Sequence, residues 1–245
     1  MNRNVIAFAS ACTLAIALLA AGVWYFVVRD DGAFHFVLPD TGPPPVSLEA
    51  ALASVSNSGR RSPPQADQTG IWVIVEGDDS FAGYRVEETL ASFGANTAVG
   101  RSTGVYGNLT YDGTAITNAE FEVDLRLLAS DQNERDDALK DQAIETDRYP
   151  TATFFLSAPI PVSEVPPDGR AVTHRVRGRL VLHGVEREVE IEAEAAMQNG
   201  LLIVIGSTRI DFAGFAIERP VSFAVLSIED HGTIEFQLVL RPSGE

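Results

Sequence analysis

Cysteine is almost absent from this chain of 245 residues, and the only one, Cys12, lies in an apolar run near the N-terminus. A single cysteine excludes an intramolecular disulfide, so the fold must be stable without one. The paired cysteine and histidine spacings of zinc sites are also missing, and no HExxH pattern occurs. We therefore predict a protein that is not an enzyme and that holds neither a metal nor any cofactor other than a bound lipid.

Histidine is scarce as well, and two of the four histidines fall at predicted turns. His183 precedes Gly184, and His231 follows Glu229 and Asp230 and precedes Gly232. Adjacent polar residues before a glycine are typical of a solvated turn. We interpret both histidines as turn residues, not as a general base or a metal ligand.

Basic residues are few: 18 lysines and arginines stand against 34 aspartates and glutamates, which gives a net charge of -16. Such a surface repels phosphate backbones, so a nucleic-acid partner is excluded. It also disfavours adsorption to anionic lipid. Any lipid contact made by the acidic part of the chain is therefore expected inside a pocket.

One long apolar run is present, Val5–Val28, and it contains no charged residue. Its length exceeds the ~20 residues that a helix needs to cross the hydrocarbon core. Trp24, Tyr25 and Phe26 stand at its far end, where aromatic rings favour the membrane interface. Residues 1–29 are predicted to be a single transmembrane anchor with the C-terminal part extracytoplasmic; a cleaved signal peptide, and thus secretion, is the alternative.

Residues 30–70 are rich in proline, serine and glycine and poor in large apolar side chains. This composition predicts a flexible linker. Within it, Ser47 and Glu49 precede several alanines, a pattern that indicates a short helix over residues 47–55.

From residue 71 to residue 241 the sequence alternates between apolar and polar side chains. The alternation is clearest in four segments: 120–127, 175–182, 188–195 and 234–240. A period of two is typical of strands with one buried face, and short turns such as His183-Gly184 and Asn199-Gly200 predict hairpins. The pattern predicts an all-β fold, an antiparallel barrel or sandwich of about eight strands.

A barrel of this size can hold one small ligand if its inward side chains leave room. Three of the inward positions carry small residues, Gly178, Ala193 and Ala195. Asn133 is the expected cap of a charged helical segment, which must end before Tyr149-Pro150, since proline disfavours helical geometry at the preceding residue. A short helix beside the barrel is therefore expected.

Residues 71–241 resemble the YceI family, lipocalin-like barrels described as polyisoprenoid-binding. The matching residues, in chain order, are Ser80, Tyr84, Val86, Gly107, Leu109, Asp112-Gly113, Phe121, Val123, Asp124, Arg135-Asp136, Leu139, Tyr149-Pro150, Phe154, Gly178-Arg179-Leu180 and Gly184-Val185. The chain departs from the family where many members carry a histidine after the first strand, because Glu87-Glu88-Thr89 stands there. The resemblance implies a long apolar ligand held inside a lipocalin-like barrel.

We accordingly predict a membrane-anchored protein that binds an isoprenoid-like or other long-chain lipid. The candidate ligand-binding residues, chosen by alternation and bulk, are Phe81, Tyr84, Phe121, Val123, Phe154, Leu156, Leu180, Ile203 and Phe236. The alternative is a barrel with a filled core that serves as an acidic interaction module for a protein or an envelope polymer.

Overall fold

The computed structural model of this protein describes residues 43–59, 68–77, 79–91, 94–162, 168–220 and 225–244. The predicted anchor Val5–Val28 lies outside these residues. Within them, no helix combines the length and the apolar character that crossing a membrane requires.

The described residues form thirteen strands and two short α-helices. The strands are β1 Gly70–Ile74, β2 Phe81–Leu90, β3 Gly94–Ser102, β4 Val105–Tyr111, β5 Ala115–Asp124, β6 Ala129–Ser130, β7 Thr151–Leu156, β8 Ile160–Pro161, β9 Val172–Leu182, β10 Val185–Gln198, β11 Leu201–Asp211, β12 Val225–Ile228 and β13 His231–Pro242. The helices are α1 Leu48–Ser58 and α2 Asn133–Ala138, and α2 continues as a π-helix, Leu139–Ala143. Single 3-10 turns cover Leu125–Leu127 and Phe212–Phe215.

Eight strands close into an antiparallel barrel in the order β1-β4-β5-β7-β9-β10-β11-β13, and β13 pairs back onto β1. This confirms the predicted barrel of about eight strands with a short helix. The predicted hairpin turns are present, because Leu182 pairs with Val185 and Gln198 pairs with Leu201.

Two strands pair with successive parts of the same edge of β13. Its C-terminal part pairs with β1 and its N-terminal part pairs with β2, which also pairs with β3 and β12. The change of partner occurs at Val239, whose carbonyl accepts a hydrogen bond from the Val75 amide at 2.8 Å. Its amide donates to the hydroxyl of Ser80 at 3.0 Å, and Ser80 is 1% exposed. The barrel is therefore closed by β1 at one end and extended by the β2–β3 hairpin at the other.

Two local predictions differ from the structure. The alternation through 120–127 predicts one strand, but β5 ends at Asp124, because the Asp124 carboxylate accepts a hydrogen bond from the Arg126 amide and caps the 3-10 turn that follows. The second difference is the cap of α2. Asn133 is the first residue of the helix and not its cap; the cap residue is Gln132, whose side chain makes no capping hydrogen bond.

Helix α1 packs on the outside of the barrel. Ser47 caps it by accepting a hydrogen bond from the Ala50 amide. Its buried residues Ala51 and Val55 contact a cluster on β10, β11 and β13 that contains Ala196, Leu201, Ile203, Ile205 and Val239. The short helix predicted over residues 47–55 is thus present as Leu48–Ser58, and it is packed against the outer face of the barrel.

The segment before α1 is also fixed to the barrel. Arg85 donates a hydrogen bond to the carbonyl of Pro43 at 2.8 Å, and Arg101 donates to the carbonyl of Pro44 at 3.0 Å. Both guanidinium groups face the carboxylate of Glu235, which is 2% exposed, at 3.5 Å and 3.0 Å respectively. A buried carboxylate requires this pairing, because an unpaired buried charge is strongly destabilising.

Candidate functional site

The barrel encloses a cavity of about 820 Å³. Every second residue of the barrel strands contributes to its wall, as expected when one face of each strand points inward. On β10, for example, Val189, Ile191, Ala193 and Ala195 line the cavity, while the intervening glutamates are exposed. A volume of this size lies within the range of small-molecule binding sites.

Seven of the nine predicted ligand-binding residues lie on the cavity wall. They are Tyr84, Phe121, Val123, Phe154, Leu156, Leu180 and Phe236. The structure thus brings these side chains together around one space. Their contact with a ligand stays a prediction.

The other two predicted residues lie on the outer face of the barrel. Ile203 is fully buried, but it is buried beneath helix α1 and not in the cavity. Phe81 lies under the guanidinium of Arg101, whose carbon is 4.2 Å from the ring centroid. Strand β11 has apolar residues on both faces, so alternation does not identify its inward face. On β2 the inward positions begin with Ala82, one residue after Phe81. Neither Phe81 nor Ile203 lines the cavity, so neither belongs to the candidate site.

Three glycines on the wall make room for aromatic rings. A Cβ at Gly178 would lie 2.2 Å from the Phe154 ring, one at Gly206 would lie 2.5 Å from Phe236, and one at Gly100 would lie 2.4 Å from Tyr84. Each ring therefore occupies the space above a glycine instead of projecting to the centre of the barrel. Small inward residues are predicted to leave space in the barrel. At Gly178 the Phe154 ring fills that space, whereas Ala193 and Ala195 border the cavity itself.

One end of the cavity is an apolar floor. Trp72 and Met197 are each 3% exposed, and Tyr111 is buried beside them. The Trp72 indole donates to the carbonyl of Gln68 at 3.0 Å, and the Tyr111 hydroxyl donates to the carbonyl of Val162 at 3.3 Å. The polar atoms of these rings are thus bonded outside the cavity, which leaves their apolar faces toward it.

The opposite end is charged and forms the opening. Its charged side chains come from β2, α2, the π-helix and residues 217–220, and most of them are exposed. We call this set the charged rim: Glu88, Glu134, Arg135, Asp137, Asp141, Glu218 and Arg219. An amphiphile with its chain on the floor would present its head group to the rim.

A buried ion pair links α2 to strand β2 at the rim. Arg135 contacts Glu88 at 2.9 Å and also pairs with Asp131, and Asn96 donates to Glu88 at 2.7 Å. Burial lowers the pKa of Arg135, but the Glu88 and Asp131 carboxylates outweigh that effect, so the net pKa is raised and the guanidinium stays charged. Glu88 therefore stays on the cavity wall at a cost in desolvation that its partners offset.

Sequence reasoning missed Glu88. Its spacing could have identified it. Glu88 follows Tyr84 and Val86 at intervals of two on β2, so its side chain lies on the same inward face. A carboxylate was not expected to point inward. The Glu87-Glu88-Thr89 departure from the family pattern thus falls on the wall of the cavity.

Tyr84 lies on the wall between the aromatic interior and the charged rim. Its hydroxyl is buried and makes no hydrogen bond of normal geometry with the described residues. Burial raises the pKa of Tyr84 from 10.0 to about 12, and the nearby positive charge of Arg135 offsets only part of this effect. The phenol is neutral at physiological pH.

Two other polar sites, His183 and the turn Glu229–His231, have structural explanations. His183 is buried in the β9–β10 turn, where its ring nitrogens lie 3.1 Å from the Phe215 carbonyl and 2.9 Å from the Glu145 carboxylate. Glu229, Asp230 and His231 bring possible ligand atoms within 4.8 Å of one another. They form a largely exposed turn in which the hydrogen bond from His231 lowers the pKa of Asp230.

A Gly-x-Ser-x-Gly pattern occurs at residues 100–104. In serine hydrolases this pattern places the serine on an exposed strand-to-helix elbow. Here Ser102 ends strand β3, is fully buried and donates to the Asp124 carbonyl at 2.7 Å. The pattern is therefore a strand end and not an exposed elbow.

Replacing Gly178 by alanine tests the packing of the Phe154 ring. The added Cβ would also lie 2.6 Å from the Phe155 carbonyl, so both the ring and the backbone must move. We expect Gly178→Ala to lower the free energy of unfolding by about 1–3 kcal/mol, measured by urea denaturation. Gly214→Ala is the matched control, since a Cβ at Gly214 meets nothing within 4 Å. Equal stability of the two variants would contradict the assigned ring position.

The raised pKa of Tyr84 predicts a pH-dependent stability. Between pH 10.0 and about 12 the folded protein holds the phenolic proton more tightly than the unfolded chain, so this contribution to stability is complete below pH 10 and lost as pH rises through that interval. The urea midpoint of the wild type should therefore fall more from about pH 9 to about pH 11 than that of Tyr84→Phe. Parallel curves for the two proteins would show that Tyr84 is not buried in this way.

Comparison with known proteins places this barrel among related folds. One similar solved structure is a polyisoprenoid binding domain from Saccharophagus degradans implicated in plant cell wall breakdown, with 16% identity and a TM-score of 0.56 over 71% of this chain and 99% of that chain. Another is BcnA from Burkholderia cenocepacia, with 18% identity and a TM-score of 0.50 over 65% of this chain and 94% of that one. At these identities the likeness shows a shared fold.

A search of the curated proteins gave no match. The YceI-like domain, in contrast, matches residues 72–240, which is more than half of the chain. The match covers β2 to β12 completely, together with the last three residues of β1 and most of β13. The wall, the floor and the whole charged rim lie within that match. The protein belongs to the YceI-like family.

Proposed function

We propose that this protein binds a long-chain apolar ligand, isoprenoid-like or another lipid, inside its barrel. The observation that supports this most directly is the apolar cavity of about 820 Å³ with a floor at one end and an opening at the other. At roughly 30 Å³ per water-sized group, the cavity has space for about 25 non-hydrogen atoms. The family membership and the name of the Saccharophagus degradans domain are consistent with such a ligand.

The cavity also supports this function over the alternative of a filled barrel that acts as an acidic interaction module. The outer glutamates of β10 are largely matched by arginines on β9, for example Arg177 with Glu190 at 3.1 Å and Arg179 with Glu186 at 3.1 Å. Exposed pairs of this kind contribute little binding energy. The interior is the more distinctive feature of the molecule.

Native mass spectrometry of the full chain, released from detergent micelles, tests the proposal. We expect a discrete added mass that solvent extraction identifies as a long-chain lipid. A chain that carries no such mass, and that takes up neither quinones nor polyprenols, would favour the interaction module.

Two neighbouring alanines provide a matched pair of variants. Ala195 faces the cavity, whereas Ala196 is fully buried under helix α1. Ala195→Phe should retain the wild-type melting temperature and weaken lipid binding at least about fivefold, because the ring enters space that the ligand needs. Ala196→Phe should lower stability by about 1–3 kcal/mol through overpacking. A filled interior would instead make both variants unstable.

We further propose that Val5–Val28 anchors the protein in a membrane, with the barrel on the extracytoplasmic side. The uncharged length of this segment and its terminal aromatic residues support the proposal. Protease added to intact cells or spheroplasts should then digest the barrel while a membrane-bound N-terminal fragment remains. Recovery of the barrel in the soluble fraction would favour the cleaved, secreted alternative.

A further inference from the structure

We propose that the charged rim selects amphiphiles whose head group is neutral or cationic and rejects those with a phosphate or carboxylate head group. This inference rests on the proposed function, because it concerns the ligand of the same cavity.

The rim carries an excess of negative charge. Five of its seven members are carboxylates, Glu88, Glu134, Asp137, Asp141 and Glu218, and two are arginines. Four of the carboxylates are exposed and surround the same opening. Clefts lined by charges of one sign concentrate the field and favour ligands of the opposite sign. An anionic head group at this opening is repelled.

Both rim arginines already have partners. Arg135 pairs with Glu88 and Asp131, as described above. Arg219 donates to the carbonyl of Ile228 at 3.0 Å, and its charge helps to lower the pKa of Asp230. Among the described residues, no lysine lines the opening, since Lys140 lies on the π-helix without reaching the cavity. A phosphate at the rim would have to compete with these partners for the two guanidinium groups.

The backbone of α2 gives an anion no substitute for a cation. The helix has only six residues, and its first turn already carries Glu134 and Asp136. The Asp136 carboxylate accepts the Ser130 amide at 2.9 Å and 3.0 Å, so it is fixed beside the helix start. Neutral and cationic head groups meet no equivalent penalty at the rim.

Three probes with one C20 chain isolate the head group: geranylgeraniol, geranylgeranylamine and geranylgeranyl phosphate. The chain contains two tryptophans, Trp24 and Trp72, so Trp24→Phe leaves Trp72 on the cavity floor as the only fluorescent indole. The full Trp24→Phe chain is held in nanodiscs of zwitterionic phosphatidylcholine and titrated with each probe. We expect the phosphate to bind at least about tenfold more weakly than the alcohol, and the amine to bind at least as tightly as the alcohol.

Charge reversal at the rim provides the decisive comparison. The variant Glu134→Lys with Asp137→Lys and Asp141→Lys should bring the phosphate about tenfold closer to the alcohol, and less so at high salt. The control reverses three exposed carboxylates on the outer faces of β5 and β10, Glu120→Lys, Glu122→Lys and Glu194→Lys. It changes the net charge equally and should leave the preference unchanged.

Specific results would overturn the inference. Equal binding of phosphate and alcohol by the wild type, or equal effects of the rim and control variants, contradicts selection by the rim. If the triple variant does not fold, the single Asp141→Lys variant, expected to shift the preference about threefold, decides the matter in the same way. Failure of all three probes to bind would instead refute the proposed function itself.

Discussion

The exchange of partners along β13 is the constraint on which the rest of the structure depends. Because β1 pairs with only the C-terminal part of β13, the barrel closes tightly there and the floor forms around Trp72. Because β2 takes over the N-terminal part, the wall continues into a longer hairpin at the other end. The hydroxyl of Ser80 satisfies the Val239 amide at the change of partner, where the ladder alone would leave a buried donor unpaired. One strand thus closes one end of the cavity and leaves the other open.

The two ends differ in chemistry as well as in width. The floor is built from rings whose polar atoms are bonded away from the cavity, whereas the rim is built from a short helix, a π-helix and a loop with charged side chains. The Glu88–Arg135 pair joins these elements to the barrel wall. A long amphiphile bound as proposed would therefore have one preferred direction in the barrel, with the chain inward and the head outward.

Much of this arrangement could be predicted from the sequence, because a period of two directly encodes which side chains face inward. Alternation together with side-chain bulk predicts Phe121, Val123 and Phe154 as ligand-binding residues, and all three lie on the cavity wall. The rule failed at Ile203 because helix α1 covers the outside of β11, so both faces of that strand are apolar. It also missed Glu88, because alternation identifies buried apolar residues and has no means of recognising a buried, paired carboxylate. The packing of residues 43–59 depends on contacts with distant strands, which composition does not encode.

The hollow interior has a consequence for the amount of protein in a cell. A barrel with an open cavity lacks the central packing that a filled core supplies, so a bound ligand adds stability that the empty protein does not have. At a ligand concentration of 100 times Kd, that addition is about 2.7 kcal/mol. Cellular proteases act on the unfolded fraction, and stability differences of this order change steady-state abundance several-fold. The level of such a protein would then follow the supply of its ligand without any change in its synthesis.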